Sequence, residues 1–159
     1  MHSWSKLAVL VMLLSSFALA ASPANAVVPR ENCVTMVEKT ESREKILSAR
    51  EVCGTKEDLS KITSEQSLLV TWYEHANFQG RSNPVYGDFG PCDWEGYTIP
   101  VIGMWSAMIS SYDLYGTCNW ATYWDPDGNN SGSRGGDQWY VGDFFNDRIW
   151  KMKVWYSWP

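Results

Sequence analysis

The feature that most constrains the fold is an aromatic bend at residues 73–80, which directly follows an apolar run. The run, residues 68–72 (Leu-Leu-Val-Thr-Trp), is typical of a buried β-strand. Four residues separate Tyr73 from Phe78, so the two rings can pack on each other across a bend. Gly80 follows, and glycine accepts the positive φ that such a bend needs. The stretch therefore predicts a folded hairpin between two strands.

A near-repeat of this pattern is visible later in the chain. Residues 121–125 echo residues 70–74, and residues 145–154 echo residues 105–114. In the closing strand of each copy alternate residues are apolar, Tyr112 and Leu114 in the first and Met152 and Val154 in the second, as in a strand with one buried face. Throughout this part of the chain, short strands are broken by Gly, Pro, Asn and Asp. The pattern favours an antiparallel β-sandwich built from two similar motifs.

The aromatic hairpin is followed by a turn at residues 104–111 that ends in Ser110 and Ser111. Together they resemble a Greek-key motif of the βγ-crystallin superfamily, and the resemblance covers about residues 67–156. It implies an all-β fold, a two-Greek-key antiparallel β-sandwich with a small disulfide-bridged N-terminal arm. The second hairpin departs from the family pattern, because Trp124 is not followed by a second aromatic residue and glycine.

The turn before the closing strand binds calcium in microbial members of this superfamily. Its family pattern is Asn/Asp, Asn/Asp, two free residues, Ser/Thr and Ser, and acids and hydroxyls are paired between the two motifs. Residues 106–111 keep the hydroxyls and lack the acids, whereas residues 146–151 keep Asn and Asp and lack the hydroxyls. The two losses are complementary.

Cross-pairing then predicts at most one calcium site. One pair is Asp147 with Ser110, and the other is Ala107 with Trp150, neither of which can ligate. Calcium takes six to eight oxygen ligands, so carbonyls near Glu74 and water must complete the site. With one carboxylate ligand, we expect a weak dissociation constant of about 10⁻⁴ M.

A purely structural interpretation stays open for the same residues. The hydroxyl of Ser111 can tie the hairpin to the closing strand, and Asn146 and Asp147 are common turn formers. Residues 125–129 look superficially like the start of a calcium loop, but turn chemistry is the better interpretation. The glycine-rich residues 128–136 are expected to form a mobile loop.

The N-terminus predicts export. An apolar stretch at residues 7–19 precedes Ala24-Asn25-Ala26, so residues 1–26 read as a signal peptide cleaved after Ala26, with Ala20 as the alternative. Cleavage removes Lys6, which changes Lys plus Arg from 13 to 12 against 18 Asp plus Glu, a net charge of −6. This balance argues against nucleic acid and anionic membrane as partners.

Residues 27–66 and 67–159 differ in composition, since the first range contains no aromatic residue. We expect the compact domain at residues 67–159, and the first range is a packed arm, a pro-segment or a spacer. Four cysteines in an oxidising compartment predict two disulfides with three possible pairings. The pairing that stays within each region is favoured: Cys33–Cys53 and Cys92–Cys118.

The arm itself has some expected structure. Residues 33–37 read as a short strand, residues 38–45 as a charged turn, and residues 46–53 are ambiguous between strand and helix. Thr55 is a plausible N-cap with an acidic residue three positions later, so a short helix is expected after it.

Catalysis finds little support, since His75 is the only histidine left after cleavage and reads as a bend residue. We expect a secreted, monomeric binding or structural protein with an unknown protein or glycan partner. Similarity to a bacterial metalloproteinase inhibitor and to killer-toxin-like proteins makes inhibition or toxicity an alternative. A second alternative is carbohydrate or cell-wall binding through exposed Trp139, Trp155 and Trp158.

Overall fold

A computed structural model of the chain describes residues 32–38 and 48–158. The predicted signal peptide, its cleavage site and most of the charged turn lie outside the described residues. Within the described ranges, no helix is long and apolar enough to cross a membrane.

Nine strands and one α-helix make up the described structure, with a 3-10 turn at Gly103–Ala107. The helix, α1, spans Lys56–Thr63 between the second and third strands. The strands in chain order are β1 (Asn32–Val37), β2 (Ala49–Gly54), β3 (Ser67–His75), β4 (Gln79–Gly87), β5 (Tyr97–Pro100), β6 (Ser111–Leu114), β7 (Trp120–Trp124), β8 (Ser131–Gly135) and β9 (Lys151–Trp155).

The strands of the described ranges form two sheets that exchange strands. One sheet has the order β2-β1-β4-β3-β6, and the other has the order β5-β9-β7-β8. Thus β5, from the first motif, pairs with β9, from the second. In return, Tyr112 of β6 bridges Gln138 of the second motif through two backbone hydrogen bonds of 3.0 and 2.9 Å. The two Greek keys are therefore intertwined, which confirms the predicted all-β two-Greek-key sandwich.

The main core lies between the two sheets, because alternate strand residues point inward. Met152 and Val154 of β9 are fully buried, as their period-2 pattern predicts. The indole N–H of Trp72 donates to the sulfur of Met152 across the core at 3.4 Å.

The glycine-rich run does not form the mobile loop that we expected from its composition. Its residues 131–135 are β8, paired along its whole length with β7. Gly135 lies against the ring of Trp120, where an added Cβ would be 2.8 Å from Cε3, and Gly132 lies against Tyr123 in the same way. Aromatic rings of the neighbouring strand occupy the space of the missing side chains and stabilise the glycines in a strand.

The N-terminal arm is built into the first sheet. β1 and β2 form an antiparallel hairpin in which Cys33 faces Cys53, and β1 also pairs in parallel with β4. Both predicted disulfides, Cys33–Cys53 and Cys92–Cys118, are present. The ambiguous residues 46–53 contribute β2, as far as they are described.

Helix α1 covers a small second core on the arm. Thr55 is its N-cap, as predicted, and the Thr55 hydroxyl oxygen accepts a hydrogen bond from the N–H of Asp58 at 3.2 Å. Leu59 on the inner face of the helix packs with buried Val34 and Met36.

Candidate metal site

The first hairpin has the aromatic packing that its spacing predicts. The rings of Tyr73 and Phe78 meet edge to face with centroids 5.7 Å apart. Asn77, Phe78 and Gly80 all have positive φ, at 59°, 60° and 80°. Positive φ costs energy for the two residues that carry a Cβ, so other contacts must stabilise the bend.

Ser111 supplies those contacts from the start of β6. Its buried hydroxyl donates to the carbonyl of His75 at 2.6 Å and accepts from the N–H of Phe78 at 3.1 Å. The serine therefore satisfies two backbone groups of the bend that strand pairing leaves free. This is the structural role that the sequence suggested for Ser111.

Asp147 reaches the same region from the second motif. Its backbone has φ of 58°, and its N–H donates to the carbonyl of Ile109 at 3.1 Å. The side-chain amide of Asn146 donates to Oδ2 of Asp147 at 2.8 Å, and Oδ1 lies 3.5 Å from the hydroxyl of Ser110. The turn of one motif thus presents its carboxylate to the serine of the other.

Ser110 joins this carboxylate to the first hairpin. It is buried, and its N–H donates to the carbonyl of Tyr73 at 2.9 Å. Its hydroxyl donates to the carbonyl of Glu74 at 2.7 Å. The structure therefore brings together the three residues predicted for the calcium site, Asp147, Ser110 and Glu74. Carboxylate, hydroxyl and carbonyl oxygens are the donors that calcium prefers, so these residues fit that ion.

The carboxylate of Glu74 has a different partner, which the sequence did not predict. It forms a bidentate salt bridge with Arg81 across the hairpin, at 2.9 and 3.0 Å, and accepts from the N–H of Arg81 at 3.2 Å. These hydrogen bonds lower the pKa of Glu74 from 4.5 to about 2. Only the carbonyl of Glu74 faces Ser110, so Asp147 is the single carboxylate of the candidate site.

The second cross-paired position, which corresponds to the candidate site with the two motifs exchanged, lacks side-chain ligands. The N–H of Trp150 donates to the carbonyl of Trp124 at 2.9 Å, in the way that Ser110 donates to Tyr73. The side chains there are those of Ala107 and Trp150, and neither carries an oxygen. The backbone geometry is repeated without the donors, and a second calcium ion does not fit.

Asp125 closes the second hairpin in place of an aromatic pair. It is buried, and its carboxylate accepts from the amide side chain of Asn130 at 2.7 Å and from the Asn130 N–H at 3.2 Å. The hydrogen bonds from Asn130 lower the pKa of Asp125. In the acidic cluster at residues 125–129, the carboxylate of Asp125 therefore stabilises the turn.

One further group of potential ligands within the described ranges is Cys33, Cys53 and Glu51, whose side chains lie close together. Both sulfurs are joined in a disulfide, so neither is available as a thiolate ligand. This cluster is not a metal centre in the oxidised protein.

Comparison with protein-family models and with curated protein sequences gives no match. Among solved structures, a βγ-crystallin domain from Flavobacterium johnsoniae is similar at 18% identity, over 57% of this chain and 98% of that chain, with a TM-score of 0.43. A βγ-crystallin domain from Clostridium beijerinckii has 17% identity over 55% of this chain and 97% of that chain, with a TM-score of 0.40. A clostrillin double mutant in complex with nickel has 14% identity over 56% of this chain and 99% of that chain, with a TM-score of 0.42.

These likenesses are distant, and the fold assignment rests on the topology of the chain itself. The exchange of β5 into the second sheet and the hairpin tied by Ser111 define a Greek-key sandwich of the βγ-crystallin type. The resemblance that the sequence showed to the βγ-crystallin superfamily is confirmed at the level of the fold.

Proposed function

We propose that the protein is an exported binding or structural domain with one weak calcium site at the junction of its two Greek keys. The observation that carries this proposal is the convergence of three oxygens from two motifs. The hydroxyl of Ser110 lies 3.5 Å from Oδ1 of Asp147 and 2.7 Å from the carbonyl oxygen of Glu74. Water would supply the remaining ligands.

Calcium would act on stability, because its ligands belong to separate parts of the fold. Glu74 belongs to the first hairpin, Ser110 precedes β6, and Asp147 precedes β9. An ion bound to all three opposes their separation on unfolding. A ligand present at a hundred times its dissociation constant stabilises the native state by about 2.7 kcal/mol.

Calorimetric titration of the mature protein with calcium tests the site. We expect one bound ion with a dissociation constant of about 10⁻⁴ M and a melting temperature that rises with calcium concentration. Asp147→Asn keeps the side-chain shape and removes the charge, so calcium affinity should fall at least about tenfold. Asp127→Asn, an exposed acid in the second hairpin loop, is the matched control and should bind like the parent.

The absence of both heat and melting shift in the parent protein would contradict the proposal. Equal affinity in the parent and in Asp147→Asn would place calcium elsewhere on the molecule. In either case the turn residues would have the structural role alone.

A non-catalytic role is part of this proposal. In the described part of the chain, all four cysteines are bridged, and His75 is exposed with its carbonyl occupied by Ser111. No described cysteine is therefore available as a nucleophile for an imidazole to activate.

Binding through exposed aromatic residues is a second candidate function. Trp139 and Trp158 are 62% and 77% exposed, as we expected, whereas Trp155 is only partly exposed. Trp94 and Trp150 are also exposed, at 62% and 54%, and no sequence signal marked them.

Protease inhibition stays a prediction that a panel of secreted proteases would test.

A further inference from the structure

The four-stranded sheet differs in charge from the rest of the molecule. The whole chain contains 18 acidic and 13 basic residues, but β5, β7, β8 and β9 contain no acidic residue. The basic residues of these strands are Arg134, Lys151 and Lys153. A mildly acidic protein therefore carries a locally cationic sheet.

The outer face of this sheet is a mixed surface of tryptophan, lysine and hydroxyl side chains. The inward residues of β7 and β9, such as Tyr123 and Met152, are buried in the core. The alternate residues face outward, and the register places them in three rows across β7 and β9: Trp120 beside Trp155, Thr122 beside Lys153, and Trp124 beside Lys151.

The two lysines are positioned by the aromatic rings of this face. Nζ of Lys151 lies 4.4 Å from the ring centroid of Trp124, and Nζ of Lys153 lies 5.6 Å from that of Trp155. Within the described ranges, neither lysine forms a salt bridge with an acidic side chain. Their positive charges are therefore available to an anionic ligand.

Trp120 is a fixed platform at one end of the face. Its ring lies against Gly135, and its indole N–H donates to the hydroxyl of Ser133 at 2.7 Å. Ser133 also shares a hydrogen bond of 2.9 Å with the hydroxyl of Thr122. Trp120 and Trp124 are about 13 Å apart along β7, at about 3.3 Å per residue. The face is thus long enough for an extended chain.

We propose that this outer face binds an acidic polysaccharide, a chain of sugar rings that carry carboxylates. The C–H face of a sugar ring packs on the indole of Trp120, and sugar hydroxyls bond to Thr122 and Ser133. Lys151 and Lys153 pair with the carboxylates. Charge complementarity selects this ligand over a neutral glycan. Two lysines on a protein of net charge −5 are too few for the dense phosphates of a nucleic acid.

Affinity electrophoresis of the full mature protein in gels that contain polygalacturonate tests this proposal. All gels contain a chelator, so that calcium neither cross-links the polymer nor occupies the candidate metal site. We expect retardation by polygalacturonate, reversal of retardation by added salt, and no retardation by its fully methyl-esterified form.

Two charge-matched double variants show whether the face is responsible. Lys151→Gln with Lys153→Gln should weaken binding at least about tenfold, because it removes both carboxylate partners. Lys56→Gln with Lys61→Gln alters exposed helix α1 by the same charge and should bind like the parent. Circular dichroism and melting temperature establish that both variants are folded.

Several outcomes would overturn the proposal. They are an unretarded parent protein, equal losses in the two double variants, and equal retardation by the esterified polymer. Retardation by single-stranded DNA as strong as that by polygalacturonate would identify the face as a nucleic-acid surface instead.

Discussion

Two neighbouring hydroxyl groups connect the first hairpin to the strand that closes the first motif. Ser111 bonds to both arms of the bend at His75 and Phe78, and Ser110 bonds to Glu74 one residue earlier. Neighbouring serines thus have separate functions. One maintains a strained bend, and the other presents an oxygen at the candidate calcium site.

Ser111→Ala should destabilise the protein by about 1–3 kcal/mol, because it leaves two backbone polar groups of the bend without their partner. The free energy of unfolding in urea measures this loss. Ser82→Ala, at an exposed position on β4, is the control and should change stability by less than about 0.5 kcal/mol. Equal stability of Ser111→Ala and the control would mean that water replaces the hydroxyl.

The salt bridge of Glu74 makes stability depend on pH in the acid range. The folded-state pKa of Glu74, about 2, lies below its ordinary value of 4.5. The contribution of Glu74 is therefore fully present above pH 4.5 and is lost as the pH falls towards 2.

Glu74→Gln should lower the urea midpoint at pH 7, and the difference from the parent should shrink between pH 4.5 and pH 2. Urea titrations across this range measure the difference. Glu65→Gln, which removes an exposed carboxylate outside the hairpin, is the control. A difference that does not vary with pH would exclude the Arg81 salt bridge as its cause.

At the level of secondary structure, β8 is a strand because β7 pairs with it and packs aromatic rings beside its glycines. A segment rich in glycine and serine has little intrinsic strand preference. The rings of Tyr123 and Trp120 on β7 occupy the space beside Gly132 and Gly135, and this packing fits the two strands together. The core-facing ring of Tyr123 needs a glycine at residue 132.

Gly132→Ala should destabilise the protein by about 1–3 kcal/mol, since the new methyl group overlaps the ring of Tyr123. Ser131→Ala, exposed on the same strand, reports the effect of alanine without the overlap. Thermal unfolding of both variants measures the difference. If the two substitutions have equal effects, Tyr123 does not need the space at residue 132.

At the scale of the whole molecule, the N-terminal arm and the Greek keys share one sheet and part of one core. Val37 of β1 is buried in the main core. The hydroxyl of Thr35 accepts a hydrogen bond of 2.7 Å from the buried amide of Asn83 on β4. The arm also covers the edge of β4, which would otherwise be open to pairing with another chain.

Removal of residues 27–63 should therefore lower the melting temperature by more than about 10 °C, because it unpairs Asn83 and opens the core at Val37. Differential scanning calorimetry measures the change. Thr35→Val in the full mature chain isolates the Asn83 contact and should cause a smaller loss. An unchanged melting temperature after truncation would identify the arm as a spacer or pro-segment.

Local spacing along the chain was enough to predict several parts of this protein before its fold was known. The aromatic bend, the period-2 strands and the N-cap at Thr55 follow from residues close in the chain, and the difference in composition between the two regions favoured one of the three cysteine pairings. The complementary losses at Asp147 and Ser110 were also visible, because the motif is duplicated and its two copies can be compared.

Features that depend on contacts between distant strands became visible in the folded chain alone. Glycines at residues 132 and 135 look like a loop until the rings of β7 are placed beside them. Similarly, the sequence assigned no partner to the carboxylate of Glu74, and the fold supplies one by bringing Arg81 across the hairpin. The outer surface of the four-stranded sheet is also assembled from separate segments. In each case the physical reason is the same: the partner that sets a residue's role lies on another strand, and local sequence does not reveal which strand that is.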